Sequence, residues 1–234
     1  MPERLSLSRF KAVLFDVDGT LVDSLEMIVR GLGDTVETYL GIRPSPTKIR
    51  SLIGMPLIKQ FAVFSGKEPT EQELDEMSHY ALERFDEHKH HETLFHDAVE
   101  TLRLCHQRGI KTALVTSKNA AELKSFLPRF PGTPYLNATV CASDVHHPKP
   151  DPESAHLACQ MLGVDPSDAV MIGDSVYDMR CARGAGVACI AVAYGAAHRD
   201  TLLAENPDML VDTPEELFAW AESAFLQTPC PERN

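Results

Sequence analysis

Residues 15–20 read FDVDGT, and within them Asp16 and Asp18 stand two positions apart at the end of the apolar run KAVLF. Two carboxylates held that close repel each other, so the pair must face a cation or share a proton. Three further stretches carry chemistry-bearing residues in comparable settings. LVTSK supplies Thr116, Ser117 and Lys118, HPKPDP holds Lys149 between two prolines, and GDSVYD contains Asp174 and Asp178. Three or four carboxylates, one well-fixed lysine and a few hydroxyl or N–H donors form a hard oxygen set that suits Mg²⁺, with water and substrate phosphate filling its other positions. A carboxylate can also attack phosphorus itself, which splits one hard displacement into two easier ones. Thr116, Lys149 and N–H groups at loop-to-helix junctions would then balance phosphoryl charge.

These residues act together only if the chain brings them to one place. β-rich runs at 11–16, 110–116, 138–143, 168–173 and 187–193 alternate with helical stretches at 97–108, 119–129, 152–162 and 177–183. Gly109, Gly163 and Gly184 stand where helices should stop, and Gly186 reads as a turn glycine. The expected fold is α/β, a Rossmann-like doubly wound parallel sheet buried on both faces by helices. In such a sheet ligands bind outside the carboxyl ends of the strands, and all four stretches follow strands.

Between the first and second of these strands the pattern changes. Residues 22–92 show no strand-like run, and helical periodicity points to helices at 24–40, 47–53, 57–64 and 71–88. A block of that size is too large for an ordinary crossover and reads as an inserted helical cap domain. The expected division is an α/β core at 1–21 and 93–228, a cap at 22–92 and a loose tail at 229–234.

Composition narrows the function classes. The chain has 234 residues, 44% of them hydrophobic and 24% charged, with a net charge of −12. That is a soluble globular balance, and the acidic excess argues against binding a nucleic-acid backbone. No apolar stretch near the N-terminus is long enough for a signal peptide or a membrane span, so a cytoplasmic protein is expected. Six cysteines occur without a C-x-x-C pair and are expected to be reduced and mostly buried. His88, His90, His91 and His96 match no zinc spacing and read as a solvated hinge. GLGDTV at Gly31 lacks the third glycine of a dinucleotide fingerprint and sits inside a helical stretch.

Taken in order, FDVDGTLVDS, LVTSK, HPKPDP and GDSVYDMRCARGAG resemble the four motifs of the haloacid dehalogenase-like hydrolase superfamily. IGMPL, GVACIAVAYG and NPDMLVDTPEEL extend the resemblance towards its phosphoglycolate-phosphatase-like branch. The resemblance implies an Mg²⁺-dependent phosphatase acting on a small phosphorylated metabolite through an aspartyl phosphate. It makes Asp16 the nucleophile and a metal ligand. Asp18 becomes the general acid and base, with its backbone carbonyl on the metal, a role that needs a raised pKa. Thr116 and Lys149 would hold the phosphoryl group, with Gly19 and Ser117 also against the phosphate, Asp174 on the metal and Asp178 in support.

The chain departs from the family pattern at Ser117, where asparagine is usual, and at Phe95-His96-Asp97, where a Pro-Gly turn is usual. Alternatives within the superfamily are a phosphosugar mutase of the β-phosphoglucomutase kind, with Arg50 or Lys59 holding a second phosphate, and a pyrophosphatase or nucleotidase. An intact Asp18 disfavours dehalogenation, and a phosphonate-cleaving relative would want a Schiff-base lysine in the cap. Arg50, Lys59, Gln60 and Arg84 are the candidate specificity residues. Monomer and dimer both remain open.

Overall fold

The computed structural model describes residues 5–66 and 69–226. Six strands form one parallel sheet: β1 (Ala12–Phe15), β4 (Lys111–Val115), β5 (Ala138–Val140), β6 (Ala169–Gly173), β7 (Ala188–Val192) and β8 (Met209–Val211). Their order is β5-β4-β1-β6-β7-β8, so the FDVDGT strand sits centrally between the strands that precede Thr116 and Asp174.

Alternate residues of β1 face opposite sides of the sheet, and each side has its own core. Val13 and Phe15 join a cluster with α5 (His96–Gln107), α6 (Ala120–Phe126) and α10 (Pro214–Leu226). Ala12 and Leu14 join the other, with α7 (Glu153–Leu162) and α8 (Val176–Gly184). A short helix α9 (Arg199–Ala204) precedes β8.

Four helices occupy the insertion: α1 (Leu25–Leu40), α2 (Pro46–Arg50), α3 (Leu57–Ser65) and α4 (Glu71–His88). Val29, Leu32, Phe61, Met77 and Ala81 give them a separate apolar core. A capping box at Thr70 starts α4, and left-handed Gly41 and Gly66 end α1 and α3. The insertion leaves and re-enters the sheet domain through an antiparallel ribbon of β2 (Val22–Asp23) and β3 (Thr93–Leu94).

Several local expectations change. β2 falls inside the stretch 22–92 expected to hold no strand, because a two-residue strand carries no periodicity. β8 was read only as part of a motif, since three residues between turns are equally short. The expected helix at 119–129 ends at Phe126, where Pro128 turns the chain into a 3₁₀ segment, Leu127–Arg129. Gly184 is the last residue of α8 and not its stop; the left-handed turn falls to Gly186 (φ 72°). The reading of 229–234 as a loose tail lies outside the described residues, as does Cys230. The five described cysteines are free and buried.

Candidate active site

Asp16 directly follows β1, and its backbone N–H still bonds to Ile172 of β6 at 2.9 Å. The residue is 3% exposed. Lys149, 1% exposed, donates to Asp16 Oδ1 at 2.8 Å, to Asp178 Oδ1 at 2.6 Å and to the Val115 carbonyl at 3.0 Å. The Lys149–Pro150 peptide is cis. Asp178 therefore has two tasks: its Oδ2 accepts from Ser175 N–H (3.0 Å) and Ser175 Oγ (2.5 Å), capping α8, while Oδ1 holds Lys149. Asp178, expected in a supporting role, thus joins the first turn of α8 to Lys149.

Asp174 is fully buried and accepts from Ala196 N–H at 2.5 Å through Oδ2. Its Oδ1 has no hydrogen-bond partner among the described residues. Gly19 (φ 78°) and Gly195 both leave room for this carboxylate, since a Cβ at either position would collide with it. The left-handed turn after Asp18 packs the α-carbon of Gly19 against the Asp174 side chain.

Oxygens of Asp16, Asp174 and Asp178 lie within 4.8 Å of one another, the group among the described residues that could hold an ion. Burial pushes Asp16 up to about 7, with Asp178 adding to the shift and Lys149 opposing it. Asp174 is raised well above the ordinary carboxylate range, again chiefly by burial and then by Asp16 and Asp178. Three buried acids against one lysine leave uncompensated negative charge, and one oxygen of Asp174 is without a partner among the described residues. A hard divalent cation answers both, so the donor set fits Mg²⁺.

The Asp18 side chain stands apart from this group. It accepts from Ser24 Oγ at 2.6 Å and pairs with Lys118 at 2.7 and 2.9 Å. Lys118, to which the sequence offers no role beyond its place beside Thr116, is 8% exposed and spans 100 positions to reach Asp18. Its place in the same post-strand segment as Thr116 was the available signal. Thr116 is buried, and its Oγ1 accepts from Lys118 N–H at 3.2 Å. Ser117 Oγ donates across to the Gly54 carbonyl of the helical insertion at 2.6 Å. Its hydroxyl thus ties the core to the loop at Gly54.

Asp16, Asp18, Ser117 and Lys118 line a cavity of about 50 Å³ closed on the other side by α1, α3, α4 and the loop at Gly54. Of the four candidate specificity residues, Gln60 lines it. Arg50 opens instead on a separate cavity beside Tyr177 and His198. Lys59 is exposed, and Arg84 pairs with Glu87 at 2.7 Å. His88 bonds to Asp34 at 2.8 Å, and the histidine cluster forms no ligand set among the described residues.

Residues 13–192 match the family described as haloacid dehalogenase-like hydrolase. The chain is 31% identical over 211 residues to the pyrophosphatase PpaX of Bacillus velezensis, covering 90% of this chain and 95% of that protein. It is 32% identical over 216 residues to a phosphoglycolate phosphatase of Pseudomonas savastanoi pv. phaseolicola, covering 89% and 78%. A solved hydrolase from Pseudomonas syringae superposes with a TM-score of 0.80 at 22% identity over 91% of this chain and 97% of that one, a likeness of fold. No helix among the described residues is long and apolar enough to cross a membrane. With this match and four motifs converging on one strand end, the chain belongs to the haloacid dehalogenase-like hydrolase family.

Proposed function

We propose that the protein is an Mg²⁺-dependent phosphatase that hydrolyses a small phosphate monoester in the cytoplasm through an aspartyl phosphate on Asp16. The observation that carries this reading is the buried Lys149 bridge between Asp16 and Asp178 beside the orphaned Asp174 oxygen. Asp16, Asp174 and Asp178, together with the Asp18 carbonyl, would hold the metal. Bound there, Mg²⁺ would neutralise the clustered carboxylates and the phosphoryl oxygens.

In the first half-reaction an Asp16 oxygen attacks phosphorus, the ester P–O bond breaks, and Asp18 gives its proton to the leaving alkoxide. In the second, water attacks the phosphorus of the aspartyl phosphate and surrenders a proton to Asp18. The acyl-phosphate P–O bond breaks, freeing Asp16 and inorganic phosphate. Ser24 and Lys118 hold Asp18 in place for both transfers, and Lys149 keeps Asp16 turned towards the phosphorus. The helical insertion acts as the cap that excludes water from the cavity.

Phosphate release from p-nitrophenyl phosphate with Mg²⁺ tests the reading. Wild type should turn over and Asp16→Asn should fall by at least about 10³-fold. Equal release by the two proteins would remove Asp16 from the mechanism.

A further inference from the structure

The cap wall of the cavity beside Asp16 and Asp18 is apolar, made by Met27, Ile28, Ile53, Leu57 and Phe85, with a single polar side chain, Gln60. Gln60 is 6% exposed. Its Nε2 donates to the Met55 carbonyl at 2.7 Å. A carbonyl cannot donate, so the nitrogen end of the amide must face Met55 and the oxygen end is the free one. That Oε1 is buried and has no partner among the described residues. A buried acceptor without a partner costs stability, and a donor arriving with the substrate removes the cost.

Charge tells against an anionic leaving group in the same space. Among the described residues lining the cavity the one cation is Lys118, already paired with Asp18, and Glu122 stands with it. The adjoining cavity of about 270 Å³ contains Lys89 and Arg129, which are paired with Asp86 and Glu92. A carboxylate or second phosphate on the leaving group would have to break one of these pairs or sit on an uncharged wall. A hydroxyl needs only the Gln60 oxygen.

We infer that Gln60 Oε1 accepts a hydrogen bond from a hydroxyl of an uncharged leaving group, which makes the substrate class the phosphate monoesters of small neutral polyols. The inference rests on the phosphatase reading above and narrows it. It sets this chain apart from relatives whose names specify pyrophosphate or phosphoglycolate.

The test is the rate of phosphate release with saturating Mg²⁺ from glycerol 1-phosphate, propyl phosphate, phosphoglycolate and pyrophosphate, with p-nitrophenyl phosphate as a general probe. Wild type should favour glycerol 1-phosphate in kcat/KM by at least about tenfold over each of the other three natural-size compounds. In Gln60→Met the glycerol-to-propyl ratio should collapse to about one, and in Gln60→Asn, whose amide is one methylene short, it should fall part of the way. A merely structural role for Gln60 would lower both rates together and leave the ratio intact, overturning the inference. So would a wild-type preference for phosphoglycolate, pyrophosphate or propyl phosphate. These results leave the phosphatase reading standing as long as p-nitrophenyl phosphate is hydrolysed; failure on every compound sinks both.

Discussion

Lys149 donates to Asp178 at 2.6 Å across 29 positions of sequence, and the same ammonium reaches Asp16 at 2.8 Å across 133. One buried cation thus fixes the carboxylate at the end of β1 to the first turn of α8. Removing it leaves three buried acids without their lysine. Lys149→Met should lower stability by about 3 kcal/mol or more in chemical denaturation and reduce kcat by at least about 10²-fold. A variant of normal stability and activity would show that Lys149 fills space only.

Asp174 depends on glycine at two positions. Gly19→Ala places a methyl group in its carboxylate and imposes an L side chain on φ 78°. The variant should lose Mg²⁺ affinity, measured by titration calorimetry, and about 1–3 kcal/mol of stability. Unchanged Mg²⁺ affinity would place the ion away from Asp174.

The raised carboxylates set a pH dependence for the metal-free protein. Asp16 has a folded pKa of about 7, pushed up first by burial, against an ordinary value of 3.8. Between those values the folded state binds more protons than the unfolded chain, so stability falls as pH rises through that window. Asp174 acts in the same direction. In EDTA, Tm should drop from about pH 4 to above pH 7, and saturating Mg²⁺ should flatten the slope by binding the folded state alone. A Tm that rises through this range in EDTA would contradict the assignment.

The Ser117–Gly54 bond joins the core to the insertion at 2.6 Å. Ser117→Ala removes one hydrogen bond worth about 1 kcal/mol and should raise KM a few-fold with little change in kcat. A fall in kcat of more than about 10² would instead place the hydroxyl on the phosphoryl group. Gly54→Ala is the stronger perturbation, because φ is 93° and a Cβ would lie 2.7 Å from Ser175 Oγ. Its KM should exceed that of Ser117→Ala in steady-state assays.

Much of this was legible before the fold. Asp16, Asp18, Thr116 and Asp174 follow apolar runs whose length and flanks mark strands, and parallel strands put their carboxyl ends on one side. The helical insertion was equally visible, because four amphipathic stretches cannot hide in a crossover. Less visible were Lys118 as the partner of Asp18, the turn of Gly19 towards Asp174 and the placing of Gln60, rather than Arg50 or Lys59, on the cavity. Each depends on how an element is rotated against a neighbour distant in sequence, which periodicity along one segment does not encode.

The sequence by itself determined the α/β fold and the family, since apolar runs mark the strands and four motifs follow them in order. Tertiary structure alone decided the pairings: the order β4-β1-β6 brings Lys149 between Asp16 and Asp178, and the seating of α3 puts Gln60 on the cavity wall. The physical reason is range. Strand and helix patterns arise from neighbours a few residues apart, whereas a buried charge or acceptor finds its partner only when the whole core closes around it.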